Sequence, residues 1–397
     1  MRIFGYMGSV CVASVHGLKL TCQYPDTATR LILSLKVSNF FSSLSQGVHT
    51  MNNFSTSLTA CAKRTLLAFA LVTAPLANAQ EVVVLSDFDE TTRWMKSENW
   101  WGEEKRSEQL QVPRVLITAI SPRWKGESSK LVVADKKELF YRFLLPLVIH
   151  ANEMVLDRRK RMQDISFALE SGKAMTAEEL DSMRDAAQLL RITDKERAAS
   201  LDATDPAWLG IIKTALHRLD IIPAGLVLGQ AAYESGYGTS RFASQGNALF
   251  GQWTYGGRGL VPEQQRKDLG DHRIAAYDWP FDSVRAYYLN LSSHPAYEDF
   301  RRLRAAQRAT GKPLNSMVLA DGLIAYSERG QKYVDTLKGI MRVNNLTIAD
   351  DAVFRDEPMR FFLGAESPEK AVELKAEIER MRVSGELADV IARMRLE

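Results

Sequence analysis

Glu234 ends an apolar run, VLGQAAYE, and a small glycine-marked turn follows at once: Ser235, Gly236, Tyr237, Gly238. A second turn-rich segment comes soon after, Asn247-Ala248-Leu249-Phe250-Gly251. Burial beside apolar and aromatic groups disfavours the charged form of a carboxyl and keeps it protonated toward neutral pH. Such a group is a general acid, the tool that protonates the leaving oxygen when a glycosidic bond breaks. Leu226, Val227, Leu228 and Tyr233 before Glu234, and Tyr237 after it, supply that setting. The same residues also fit a helix-end glutamate held in a salt bridge.

Other chemistries find less support in the chain. His150, His217, His272 and His294 are isolated, without HExxH or paired spacing, so no metal site and no cofactor is expected. Gly256-Gly257-Arg258-Gly259 is glycine-rich, but no GK[ST] follows and no strand-to-helix context surrounds it. The basic stretch Met154–Met162 reads as a solvated helix face, or as a contact to anionic wall polymer. All three cysteines, Cys11, Cys22 and Cys61, lie near the N-terminus.

That N-terminus reads as an export signal. Lys63 and Arg64 precede an apolar stretch from Thr65 to Leu76, and Ala77-Asn78-Ala79 forms a small-x-small cleavage site before Gln80. The alternative is an uncleaved anchor or a buried N-terminal helix. Residues 1–50 precede a plausible initiator, Met51, and read as an over-long gene start or a disordered leader. The chain carries 51 Lys and Arg against 48 Asp and Glu; six of the basic residues and one acid lie in 1–79. Without that segment 45 basic face 47 acidic residues, a net of −2, and no basic stripe for nucleic acid is left. The mature chain would be cysteine-free, held by its core, exported to the periplasm and not inserted in the membrane, since no further apolar span of about 20 residues is read.

The elements that must position Glu234 read mainly as helices. Glu81 to Leu131 reads as irregular, with a short strand at Val82–Leu85. Lys136 to Arg161 has a broad apolar stripe at helical spacing, with a kink or break expected at Pro146. Thr176 with Glu179 reads as a capping box, and Asp205-Pro206 and Ser367-Pro368 as cap-then-proline helix starts. Ile222-Pro223 opens the helix that ends on Glu234. From Asn247 to Trp279 glycines cluster and an extended run appears at Arg273–Tyr277, which predicts a small β-hairpin lobe. Helices follow at Phe281–Leu291, Glu298–Ala309, Pro313–Ile324 and Gln331–Val343, and Ser367–Met394 reads as two peripheral helices.

The segment Ala232 to Gly238 with Ser240, followed by Asn247 to Gly251, resembles the signature of the glucosaminidase family of peptidoglycan hydrolases, similar to glycoside hydrolase family 73. Tyr277–Tyr288 and Leu323–Leu337 resemble that family's later helices. The match spans roughly Asp205 to Leu346, and Val112–Met162 resembles the N-terminal extension of its Bax-type subgroup. The resemblance implies a mainly α (α+β) fold, a lysozyme-like helical domain with a small β-hairpin lobe behind a helical extension. It divides the chain into 1–50 leader, 51–79 signal, 80–204 extension, 205–346 catalytic domain and 347–397 peripheral helices. It implies cleavage of the β-1,4 bond after N-acetylglucosamine in peptidoglycan glycan strands, with Glu234 as proton donor.

A second acid would come from the β lobe: Glu263 first, with Asp268, Asp271 and Asp278 as rivals. Tyr326 matches the family's tyrosine near the acid and would bind the acetamido group or steady charge, unless it only packs. Tyr237, Phe250, Trp253 and Tyr255 are candidate sugar walls, and Asn247 belongs to the same binding set. Two rival readings stay open: a lytic transglycosylase or muramidase using the same glutamate, and a wall-binding scaffold with no catalysis.

Overall fold

The computed structural model describes residues 82–101, 109–121, 123–263 and 272–389. The leader, the expected export signal and the acids Asp268 and Asp271 lie outside the described residues. The fold is mainly α with a small β component.

The N-terminal part is more regular than its sequence suggests. It runs β1 (Val82–Leu85), α1 (Phe88–Ser97), β2 (Gln111–Val112), β3 (Val115–Ile117) and α2 (Trp124–Ser128). Asp87 caps α1 by accepting from the Glu90 amide at 2.7 Å, and the Ser86 amide donates back to Glu90 Oε2 at 2.7 Å. This reciprocal cap is the start signal that the irregular reading of 81–131 overlooked.

The long helix α3 (Val133–Glu170) shows no break at Pro146, where a kink or a break was expected, for it runs on through the proline. Leu144 through Ile149 are all buried, so packing holds the turn that the missing N–H would otherwise weaken. This helix is also long and apolar enough by composition to cross a membrane, contrary to the expected absence of any such span, but 61% of its apolar window is buried inside the fold. Its stripe is spent on the core.

The helical body continues with α4 (Ala177–Leu189), α5 (Lys195–Ser200), α6 (Ala207–Arg218), α7 (Ala224–Ser235) and α8 (Arg241–Gly246). The capping box of α4 forms as read, with Thr176 Oγ1 accepting from the Glu179 amide at 3.2 Å and Glu179 Oε2 from the Thr176 amide at 2.8 Å. A three-stranded antiparallel lobe follows, in the order β4 (Trp253–Thr254), β6 (Arg273–Ala275), β5 (Gly259–Leu260). Then come α9 (Pro280–Ser293), α10 (Glu298–Ala309), α11 (Ser316–Leu319) and α12 (Gln331–Val343).

One helix expected there breaks. Instead of a helix over 313–324, α11 gives way to a 3-10 segment, Ala320–Tyr326, with Leu323 off helical geometry at φ −104°. Gly322 lies against the α10 backbone, where a Cβ would come within 2.5 Å of Phe300 Cα, and this close crossing distorts the segment.

The chain closes with β7 (Val353–Phe354), β8 (Arg360–Gly364) and α13 (Pro368–Ser384). β8 is a strand where only helices were expected. It pairs in parallel with both β1 and β3, with Val83 beside Phe362 and Leu116 beside Phe361, and β7 pairs with β2. Strands from the first and last parts of the described residues are therefore joined in one sheet.

α7 is buried almost all round: every residue from Ala224 to Ala232 is buried, as a central helix requires. Its entry is pinned by Asn152 of α3, whose side chain bonds both the Ile222 carbonyl (3.0 Å) and the Ile222 amide (3.1 Å). Gly225 lets the helix pass close to Asp350, which accepts from its amide at 3.0 Å; a Cβ there would meet the Leu346 carbonyl at 2.5 Å. Gly229 gives similar clearance to Leu337 and Met341 of α12.

Candidate active site

Glu234 is the penultimate residue of α7 and lies where that helix meets α12. Burial raises its carboxyl above the usual carboxylate range, and a hydrogen bond from Tyr333 partly offsets this. The Tyr333 hydroxyl donates to Glu234 Oε1 at 2.9 Å. That hydroxyl in turn accepts from Gln230 Nε2 at 2.8 Å, and Gln230 Oε1 accepts from the Tyr287 hydroxyl. Gln230 and Tyr287 are wholly buried and Tyr333 nearly so. Among the described residues no hydrogen bond reaches Oε2. A Cβ on Gly251 would lie 3.7 Å from it, so the second turn approaches the carboxyl with bare backbone at φ +61°.

The turn after Glu234 is locked from within. Ser235 is buried; its hydroxyl donates to the Ala231 carbonyl at 2.6 Å and accepts from the Gly238 amide at 2.8 Å. Gly236, Tyr237 and Gly238 all adopt positive φ, at +58°, +59° and +75°. Glycine does so freely, whereas Tyr237 needs outside support. That support comes from the N-terminal extension. The Trp124 indole N–H donates to the Tyr237 carbonyl at 2.9 Å. Phe140 and Tyr141 of α3 pack edge-on against the Tyr237 ring, at 5.7 and 5.9 Å. The ammonium groups of Lys136 and Lys137 lie over the same ring. Tyr237, read as a sugar wall, is thus engaged by protein partners.

The second turn is built the same way. Asn247 caps α8 in the left-handed region, φ +50°, and is 4% exposed. Its amide donates to the carbonyls of Tyr277 (3.2 Å) and Asp278 (3.0 Å), and its oxygen accepts from the Ile120 amide at 3.1 Å. It ties the extension to the β lobe, and all its polar atoms point to protein. Phe250 is likewise core: 2% exposed, and stacked on Tyr287 at 4.2 Å and 16°. The Leu249 amide donates to buried Ser283 at 3.0 Å.

Tyr326 does not bond Glu234. Its hydroxyl donates to the Phe250 carbonyl at 3.2 Å, and its ring stacks on Tyr333 at 5.6 Å and 11°. It braces the tyrosine that holds the acid. Trp253 and Tyr255, in contrast, present rings to solvent, 46% and 69% exposed, with His272 beside Trp253. Glu263 is largely exposed and faces Arg241 at 3.7 Å, while Asp278 pairs with Arg258.

Gln230, Tyr333 and Tyr287 were missed from the sequence. Gln230 left a signal: it stands four residues before Glu234, on the same helical face. Tyr333 and Tyr287 left none, for they meet Glu234 only through tertiary packing.

Residues 209–346 match the Glucosaminidase family model, described as mannosyl-glycoprotein endo-beta-N-acetylglucosaminidase. The chain is 36% identical over 136 residues to the protein bax of Escherichia coli (strain K12), which covers 34% of this chain and 48% of that protein. The chain thus spans about half the length of the curated relative it matches. No solved structure matches.

Proposed function

We propose, on the premise of the glucosaminidase-family domain at residues 209–346, that this protein is an exported peptidoglycan hydrolase. It cleaves the β-1,4 bond after N-acetylglucosamine, with Glu234 as general acid. The observation that carries this reading is the asymmetry of the carboxyl: Oε1 is held by Tyr333, and Oε2 lies beside the bare Gly251 backbone.

The Oε2 proton passes to the glycosidic oxygen as the C1–O bond breaks. A water then adds to the oxocarbenium-like C1 and gives up a proton to a base from the β lobe. Glu263 is the first candidate for that base, being exposed and facing Arg241 at 3.7 Å. Trp253 and Tyr255 offer exposed rings to sugar faces.

Glu234→Gln should cost on the order of 10²-fold or more in wall-digesting rate, as for loss of a general acid. Near-normal digestion of purified sacculi by that variant sinks the assignment. A second reading, a lytic transglycosylase, would use the same glutamate; it is favoured by Glu263, the first candidate for a base, facing Arg241 at 3.7 Å. Mass spectrometry of released fragments separates the two, since reducing N-acetylglucosamine ends mean hydrolysis and anhydro-muramic ends mean the transglycosylase.

A further inference from the structure

The three groups behind the acid form a chain of donors that runs one way. The Tyr287 hydroxyl donates to Gln230 Oε1, which fixes the amide so that Nε2 faces Tyr333. The Tyr333 hydroxyl accepts from that N–H at 2.8 Å, so its own proton goes to Glu234 Oε1 at 2.9 Å. All the groups behind the carboxyl are buried away from bulk solvent. An oxygen already accepting from a tyrosine is a poor place for the acid's own proton.

We propose that Gln230 is a positioning residue that decides which oxygen of Glu234 carries the catalytic proton. It makes Tyr333 an obligatory donor, and so leaves the proton on Oε2, the oxygen beside Gly251. This rests on the reading of Glu234 as the acid. Without Gln230 the Tyr333 hydroxyl is free to accept, and the neutral carboxyl can donate to it from Oε1. The proton is then held on the wrong oxygen and released with more difficulty.

Other groups facing Glu234 do not supply this control. They are Tyr326 from the 3-10 segment and Tyr297 from the turn before α10, and each keeps its proton, its hydroxyl pKa raised by burial first; Tyr287 of α9 acts through Gln230. Among the described residues no charged side chain adds to the balance.

The test uses the full chain carrying Gln230→Met, close in shape but without polar atoms. Tyr287→Phe is a milder variant that frees the Gln230 amide to turn. Two titrations are read: the basic limb of the pH–rate profile on sacculi, and the Glu234 carboxyl followed by ¹³C NMR with labelled glutamate, assigned by difference against Glu234→Gln. Both variants should move the carboxyl titration to higher pH, by about 0.5 or more for Gln230→Met, because the neutral form gains an acceptor. Turnover should fall roughly 10-fold, as part of the general-acid contribution is lost. An unmoved carboxyl titration in folded variants overturns the proposal, whatever happens to rate. A moved titration in a protein that digests no wall keeps the relay and removes the proposed function instead.

Discussion

Asn247 offers a direct contest between a sugar-binding residue and a structural clamp. Replacing it with alanine removes three hydrogen bonds, those to the Ile120 amide and to the Tyr277 and Asp278 carbonyls. Each is worth about 1 kcal/mol net in a partly buried setting. Alanine must also adopt φ +50°, which asparagine tolerates better, at a further cost of about 1 kcal/mol. Asn247→Ala should therefore destabilise the protein by about 4 kcal/mol, a large share of the whole stability of an ordinary domain. Asn247→Gly loses the same bonds but not the backbone comfort, and should recover about 1 kcal/mol of that. Urea unfolding followed by circular dichroism measures both, through the midpoint at constant slope. A variant within about 0.5 kcal/mol of the parent, with a several-fold higher KM on glycan fragments, refutes the clamp and restores the binding role.

Two further outcomes follow from Glu234 and its neighbour. In Gly251→Ala the new methyl lies 3.7 Å from Glu234 Oε2 and covers the open oxygen; turnover should fall roughly 10-fold or more. Gly172→Ala is the matched control, with comparable backbone strain at φ +76° and nothing within 4 Å, and should leave turnover unchanged. Glu234→Gln should also stabilise the protein at neutral pH. A carboxyl whose pKa is raised in the fold binds its proton more tightly folded than unfolded, so its presence costs stability as pH rises above the ordinary value of 4.5. The gain of the variant over the parent should be seen near pH 7 and close below pH 4.5 in thermal unfolding; a gap of equal size at both pH values contradicts the burial argument.

Local chemistry made several elements legible. Thr176 with Glu179 announced a helix start, and the helix Gln331–Val343 was read to both its ends because its apolar residues repeat at helical spacing. Pairing between distant segments was not legible. β8 is five residues long, and its partners lie more than two hundred residues upstream, so no local period marks its register. The tyrosines show the same limit. Tyr326 and Tyr333 are stacked, and both ring faces suit the site, but the hydroxyl that reaches Glu234 belongs to the second. Tyr326 ends a distorted 3-10 segment that passes Phe300 at Gly322, a contact that no spacing rule contains.

The placement of Glu234 makes the separate influences on it add. A carboxylate in the last turn of a helix faces the negative end of the helix dipole, which disfavours ionisation just as burial does. Tyr333 opposes both by donating to one oxygen. That balance depends on two turns staying in place around the carboxyl. Both are braced from outside the matched residues 209–346: Ile120 holds Asn247, and Trp124, Phe140 and Tyr141 hold Tyr237. Tyr237 sits at φ +59°, a conformation of order 1–3 kcal/mol above its relaxed state unless its surroundings enforce it. The extension supplies those surroundings. Cutting it away would therefore leave the glutamate in the chain but let the turn beside it relax, and with it the geometry on which the open oxygen depends.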